Sequence, residues 1–166
     1  TTVGTNEKKK FCESLGVHNV YNYKESDFFD EIKKIEKKGI DIILDYIGGD
    51  YINKNINLLK SDGKLINIGF LNGSQVNINL MKIMLKRLTI TGSTLRIREK
   101  TYKAKILNDL KKIVFPNFEN GKIKCYIDSV FKLKDVVSSH KYLEEGEHIG
   151  KIVLEILQDL QSLNPV

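Results

Sequence analysis

The chain has 166 residues, 41% of them hydrophobic, and a net charge of +6. This length fits one domain, or one domain and part of another. No apolar run approaches the roughly 20 residues that a membrane-spanning helix needs. The amino terminus is polar and does not resemble a signal peptide. These features exclude a membrane partner and predict a cytoplasmic protein.

The positive charge does not predict nucleic-acid binding. Lysines are spread along the whole chain and alternate with acids, as in residues 31–38. Aromatic residues do not interleave with them as base-stacking platforms would. Cys12 and Cys125 lie outside any Cys-x-x-Cys pair, and no two histidines have metal-ligand spacing. We therefore expect neither a disulfide framework nor a metal site.

The first predicted elements alternate between strand and helix. Residues 2–5 are typical of the end of a strand, and Thr5 can cap the following helix, which Gly16 ends. Residues 18–23 predict a short strand. Ser26 is the predicted cap of a second helix, whose apolar residues recur at helical spacing.

The central element is the apolar run over residues 39–49, which only Asp41 and Asp45 interrupt. An apolar run without period-two alternation predicts a strand buried on both faces of a parallel sheet. Gly48 and Gly49 follow its carboxyl end, where open parallel sheets bind ligands. The pair is therefore a candidate site. The alternative is a plain strand-to-helix turn.

Alternation continues up to residue 98. A helix capped by Asp50 leads to a strand over residues 64–69, and residues 88–95 predict the next strand. The helix between these strands is expected to turn four apolar side chains inward: Leu80, Met81, Met84 and Leu85. This succession predicts a doubly wound α/β fold with a parallel sheet.

The pattern changes after Arg98. Helices are predicted near residues 100–115 and 135–143, and strands over residues 126–131 and 149–156. We expect residues 158–166 to form a frayed or disordered tail. The predicted organisation is a first domain over residues 1–98, carboxyl-terminal segments over 99–157 and the tail.

The end of the first strand carries the cofactor prediction. NAD-binding sheets usually place an acid there for the ribose hydroxyls, whereas NADP needs cations. This chain has Gly4, Thr5 and Asn6, with Lys8 one turn into the helix. A hydroxyl and an ammonium beside a helix N-terminus favour a 2′-phosphate, and hence NADP. The alternative is that Lys8 is one of several solvated lysines.

The usual Gly-x-Gly-x-x-Gly turn is absent from the sequence. Either the fold is different or the chain starts after that turn. Several blocks are nevertheless recognisable in order: TVGT, VYNYK, DYIGG, KR, STLRIR, HKYLE and IGKIVL. Together they resemble the carboxyl-terminal half of the zinc-free, zeta-crystallin-like quinone oxidoreductases of the medium-chain dehydrogenase/reductase superfamily.

The resemblance implies a Rossmann-like doubly wound sheet that lacks its first strand and glycine turn, plus segments that return to a catalytic domain. It implies contacts with the 2′-phosphate, adenine, ribose, pyrophosphate and nicotinamide of NADP. The cofactor-binding residues that it implies are Gly4, Thr5, Lys8, Tyr23, Gly48, Gly49, Gly69, Phe70, Leu71, Ser93, Thr94 and Leu95. It assigns no catalytic acid or base and no metal ligand to this chain.

Three functions remain open at this stage. The first is the NADPH-binding portion of an enzyme that transfers hydride to a quinone or related enone, inactive without the family's catalytic domain. The second is a non-catalytic interaction module, a homodimer formed through the strand at residues 88–93. The third is another adenosine-cofactor user such as a methyltransferase.

Overall fold

The computed structural model describes residues 1–156, and the predicted tail at 158–166 lies outside them. The strands are β1 (Thr2–Val3), β2 (Tyr21–Asn22), β3 (Ile40–Asp45), β4 (Leu59–Asn67), β5 (Thr89–Gly92), β6 (Ile127–Lys132) and β7 (Lys151–Glu155). The helices are α1 (Asn6–Ser14), α2 (Phe28–Ile35), α3 (Tyr51–Leu58), α4 (Leu80–Lys86), α5 (Lys100–Ile113), α6 (Phe115–Glu119) and α7 (Val136–Glu145). None of these helices is long and apolar enough to cross a membrane.

The described residues form two compact units, Thr1–Lys103 and a second that begins at Ala104. The functional division predicted near residue 98 stays a prediction. In the first unit, β3, β4 and β5 form a parallel sheet in that order, and β1 pairs with β2 in a separate parallel pair. Helices connect these strands, so the predicted α/β class with parallel strands is confirmed.

The core of the first unit lies between β4 and α3. Its fully or nearly fully buried members are Ile52 and Ile56 on the helix and Leu59 and Leu65 on the strand. Partly buried side chains surround this cluster: Ile43, Ile78 and Leu88. The helical spacing of Ile52 and Ile56 places both on one face, and this face covers β4.

The prediction that β3 is buried on both faces is wrong. Ile43 packs against the core, but Ile42 and Leu44 on the opposite face are 59% and 61% exposed. Successive strand residues point to opposite faces, so a helix that covers one face leaves the other open. In the described residues, β3 pairs with another strand, β4, along only one of its two edges.

Two further local predictions are wrong. Asp27, not Ser26, caps α2: its Oδ1 accepts from the Phe29 N–H at 3.0 Å. The Ser26 N–H donates to the Asn22 carbonyl at 3.1 Å, which holds Ser26 in the preceding turn. The apolar face predicted to point inward on α4 is exposed, because α3 and β4 already fill the core without it: Leu80, Met81, Met84 and Leu85.

The second unit contains its own parallel pair, β6 with β7. The Asp128 carboxylate on β6 accepts from the Ile149 N–H at 2.7 Å and the Tyr142 hydroxyl at 2.8 Å. The Ser129 hydroxyl also donates to it, at 2.9 Å. These bonds, that of Ile149 above all, lower the pKa of Asp128. The Asp128 side chain on β6 is thus hydrogen-bonded both to α7, through Tyr142, and to the segment that precedes β7, through Ile149.

Candidate functional site

The candidate residues nearly all follow the carboxyl ends of the strands. Gly4 and Thr5 come after β1, and Tyr23 comes after β2. Gly48 and Gly49 follow β3, and the two remaining groups, residues 69–71 and 93–95, follow β4 and β5. The carboxyl edge of an open parallel sheet is where ligands bind in this fold class.

The structure brings the four residues predicted near the adenosine together. Thr5 is the N-cap of α1, and its Oγ1 accepts from the Lys8 N–H at 3.2 Å. A Cβ at Gly4 would come within 2.8 Å of the Tyr23 hydroxyl, so the Tyr23 side chain lies directly against this glycine. The Thr5 hydroxyl, the first turn of α1 and the Tyr23 side chain therefore lie next to one another.

A carboxylate that the sequence reasoning missed reaches the same corner. The Asn6 side-chain amide donates to Glu25 Oε1 at 2.5 Å, and the Asn22 amide donates to Asn6 Oδ1 at 3.1 Å. An acid bonded to Asn6, the first residue of α1, opposes a 2′-phosphate at this helix end and could accept ribose hydroxyls instead. Glu25 lies after β2 rather than β1, so only spatial proximity could have revealed it.

Gly48 and Gly49 form a tight turn against the loop after β4. Both adopt left-handed backbone angles, with φ of 71° and 52°. A Cβ would lie 2.5 Å from the Gly73 carbonyl oxygen at Gly48 and 2.4 Å from that of Asn72 at Gly49. The Gly49 N–H donates to the Gly73 oxygen at 2.8 Å. Loop packing alone therefore requires both glycines, and their contact with ribose and pyrophosphate stays a prediction.

Asp45 holds this turn in place from the end of β3. The side chain is buried, and its Oδ1 accepts from the Ile47 and Gly48 N–H groups at 2.7 and 3.1 Å. Its Oδ2 accepts from the Asn55 amide at 3.0 Å and, more weakly, from the Asn67 amide at 3.5 Å. These donors satisfy the buried oxygens of the side chain. An acid at the carboxyl end of a mostly apolar strand was the available sequence signal.

A groove of about 520 Å³ opens at the carboxyl ends of β4 and β5. Its lining combines residues predicted near the nicotinamide with others that the sequence did not single out as site residues: Asn67, Ile68, Gly69, Phe70, Gly92, Ser93, Thr94, Ile97 and Arg98. Two predicted residues, Leu71 and Leu95, are exposed and are not part of this lining.

Arg98 contributes a cation to the groove. Its guanidinium lies 5.2 Å from the centre of the Tyr102 ring, a cation–π distance. The sequence placed Arg98 at a domain boundary and gave it no role in the site. The groove thus combines apolar walls, two hydroxyls and one positive charge, which suits a ligand with a flat ring and polar substituents.

The sequence profile of a family described as zinc-binding dehydrogenase matches residues 15–154. The chain belongs to this family. Its relatives place it in the medium-chain dehydrogenase/reductase superfamily. It is 31% identical to human quinone oxidoreductase over 155 residues, covering 92% of this chain and 45% of the relative. It is 28% identical to the zebrafish (Danio rerio) synaptic vesicle membrane protein VAT-1 homolog over 163 residues, covering 89% of this chain and 33% of the relative.

Solved structures show the same fold. An NAD-dependent alcohol dehydrogenase superposes with a TM-score of 0.75 at 26% identity, over 93% of this chain and 43% of that one. A mycobacterial protein complexed with NADPH superposes with a TM-score of 0.78 at 21% identity, over 94% of this chain and 48% of that one. The chain therefore has the Rossmann-like architecture of this superfamily. It spans less than half the length of the curated relatives described here.

The family description names zinc. Across residues 1–156, no group of three or more histidine, cysteine, aspartate or glutamate side chains could hold a metal ion. A protein zinc site needs at least three such ligands. This part of the chain therefore does not fit a zinc site.

Proposed function

We propose that the chain is the NADPH-binding portion of a reductase that transfers hydride from NADPH to a quinone or a related enone. The observation that carries this proposal is the groove after β4 and β5. It combines Gly69 and Phe70 with Ser93 and Thr94, the segments predicted to lie at the nicotinamide. The oxidoreductase names among the relatives support the same reaction class.

The residues of the chain would bind and shield the cofactor, and NADPH would supply the hydride. Thr5 and Lys8 at the start of α1 would bind the 2′-phosphate, and Tyr23 would lie beside the adenine. Phe70 would exclude water from the nicotinamide, and the backbone after β5 would bind the carboxamide. Hydride transfer between stacked rings requires no strong acid or base from this unit.

The chain alone is expected to be inactive with a quinone. In the family the quinone pocket lies mostly in the amino-terminal catalytic domain, and the chain covers 45% of human quinone oxidoreductase. Within the family, the quoted blocks most resemble the tumour-suppressor-inducible quinone oxidoreductase, and we propose that branch. A cytoplasmic location also remains part of the proposal.

Binding of NADPH, NADH and S-adenosylmethionine, followed by calorimetry, tests the cofactor. We expect NADPH to bind most tightly. Replacement of Lys8 by Met should weaken NADPH about tenfold, the loss of one charge-assisted contact, and leave NADH unchanged. Lys10→Met, on an exposed lysine of the same helix, is the matched control. Tighter binding of NADH than of NADPH by the wild-type chain would contradict the proposal.

The same binding measurements on a Glu25→Gln variant test which cofactor the site prefers. If a 2′-phosphate lies beside Thr5, Glu25→Gln removes a repulsive charge and should strengthen NADPH binding severalfold. If Glu25 instead accepts ribose hydroxyls, the same change should weaken NADH. Weaker NADH binding by Glu25→Gln would indicate that the site at the start of α1 binds NAD rather than NADP.

One observation favours the homodimer as a second candidate function. In the described residues, β5 is the last strand of its sheet, and all of its residues, Thr89–Gly92, are exposed. An open edge can pair with the same edge of a second copy. We expect sedimentation to show a dimer at micromolar concentration that Ile90→Lys converts to a monomer. A wild-type monomer would contradict this candidate.

A further inference from the structure

The groove after β4 and β5 contains a positive charge that the proposed cofactor contacts do not use. Arg98 lines this groove together with the hydroxyl-bearing residues Ser93 and Thr94. The lining contains no acidic residue, and Glu99, which follows Arg98 in sequence, lies outside it. A ligand in the groove therefore meets one guanidinium and no carboxylate.

The charge of Arg98 is not neutralised by the rest of the described chain. Across residues 1–156, no carboxylate forms an ion pair with it. Its guanidinium lies 5.2 Å from the centre of the Tyr102 ring, and its backbone N–H donates to the Leu95 carbonyl at 3.2 Å. A cation–π contact restrains a guanidinium but leaves its net charge unpaired, so the group can still bind an anion.

The cofactor does not require this charge. In the proposed binding mode, the 2′-phosphate lies at the start of α1, and the pyrophosphate lies beside Gly48 and Gly49. The part of the cofactor expected at Ser93 and Thr94 is the nicotinamide, which is uncharged when reduced and positively charged when oxidised. A guanidinium next to the oxidised ring is repelled by it, and an anion bound at Arg98 would offset this repulsion.

The remaining source of an anion is the hydride acceptor. At roughly 30 Å³ for each water-sized group, a groove of 520 Å³ holds about 17 such groups, more than a nicotinamide ring fills. The apolar residues Ile68, Phe70 and Ile97 line the same groove and suit a flat conjugated molecule. A guanidinium presents two parallel N–H donors, which match the two oxygens of a carboxylate.

We propose that the hydride acceptor carries a carboxylate and that Arg98 binds it. The substrate class is thus a flat, conjugated enone or quinone with one carboxylate group. This inference rests on the proposed function, because it requires the nicotinamide to lie in the same groove. Arg98 orients the acceptor and exchanges no proton with it. The acceptor gains the hydride and then a proton from water, and its carboxylate is unchanged.

The test compares binding of cinnamate, a flat conjugated carboxylate, with binding of cinnamamide, an uncharged molecule of the same shape. NMR chemical shifts of the backbone amides of Gly69, Ser93 and Thr94 report binding in the groove. We expect the Kd of cinnamate to be at least tenfold lower, because only the carboxylate forms a charge-assisted, two-pronged contact with Arg98. Added salt should weaken cinnamate and leave cinnamamide unchanged.

Three variants assign the effect to Arg98. Arg98→Met removes the charge, and it should weaken cinnamate about tenfold without changing the affinity for cinnamamide or NADPH. Arg98→Lys keeps the charge without the two-pronged geometry, and it should cause a smaller loss. Arg96→Met is the matched control, since Arg96 is exposed and lies outside the lining, and it should bind every probe as the wild-type chain does.

Two results would overturn this inference and leave the proposed function standing, provided that the wild-type chain prefers NADPH. The first is equal affinity for cinnamate and cinnamamide. The second is an Arg98→Met variant that loses affinity for NADPH rather than for cinnamate, because the charge would then serve the cofactor. A wild-type chain that does not prefer NADPH would contradict the proposed function. It would also overturn the assignment of the carboxylate to a hydride acceptor, even if cinnamate binds through Arg98.

Discussion

The strands β3 and β4 pair with each other, and the more apolar of the two, β3, is the less buried. On β4, Leu65 is fully buried, whereas Leu44 on β3, which pairs with Ile66, is 61% exposed. Within residues 1–156, β4 pairs on both edges and lies under α3, whereas β3 has one paired edge and one covered face. An apolar sequence thus shows that a strand can be buried, but its neighbours decide how much of it is.

Substitution of leucine by alanine should show the largest contrast between the two strands. Leu65→Ala should lower the free energy of unfolding by about 3 kcal/mol, because it leaves a cavity in the core. Leu44→Ala should cost less than about 1 kcal/mol, because the side chain is mostly solvated. Urea denaturation of both variants measures the difference. Equal losses would show that the exposed face of β3 is covered in solution.

Asp45, at the carboxyl end of β3, is the most buried residue of that strand. Asp45→Ala should lower the free energy of unfolding by about 2 kcal/mol, because it leaves the buried N–H groups of Ile47 and Gly48 and the Asn55 amide without their acceptor. Asp41→Ala is the control, since Asp41 forms an exposed ion pair with Lys60. Similar unfolding midpoints for the two variants would show that the carboxylate does not hold the turn.

Lys86 stabilises the start of β4. Its Nζ donates to the carbonyls of Ile56, Asn57 and Leu59 at 3.3, 3.0 and 2.6 Å, and burial lowers the pKa of Lys86. Lys86→Met should cost about 1 kcal/mol, because these carbonyls at the end of α3 lose their donor. Lys82→Met, which removes an exposed bond to the Asn57 side chain, should have a smaller effect on thermal unfolding.

The smallest predicted effect concerns pH at α2. The pKa of Asp27 lies below its usual 3.8, first because Lys54 donates to it and then because of the Phe29 N–H. The folded state therefore prefers the charged form, so the contribution is complete above pH 3.8 and is lost as pH falls through the lower folded value. We expect less than about 1 kcal/mol. Asp27→Asn should flatten the stability profile over this acidic range, and an unchanged profile would contradict the assignment.

Much of the fold could be predicted from local signals. The Thr5 cap, the helical spacing of Ile52 and Ile56 and the alternation of strand with helix depend on residues close in sequence. The predicted cap at Ser26 was wrong because the Ser26 N–H bonds to Asn22 in the preceding turn. The next residue, Asp27, caps α2 instead. The inward face predicted for α4 failed for a non-local reason, since other side chains already fill the core.

The candidate site was predictable only in part. The family resemblance implied Gly69, Phe70, Ser93 and Thr94 as site residues, and all four line the groove after β4 and β5. Glu25 and Arg98 could not be placed, because their approach to the site depends on contacts between elements distant in sequence.

The sequence by itself determined the alternation of helices and strands and the parallel class of the sheet. It could do so because caps, turns and hydrophobic periods act over a few residues. Only the tertiary structure decided that β1 and β3 do not pair within residues 1–156, that one face of β3 is exposed and that the Glu25 carboxylate bonds to Asn6. Pairing and burial depend on which distant segments meet, and no local pattern encodes that.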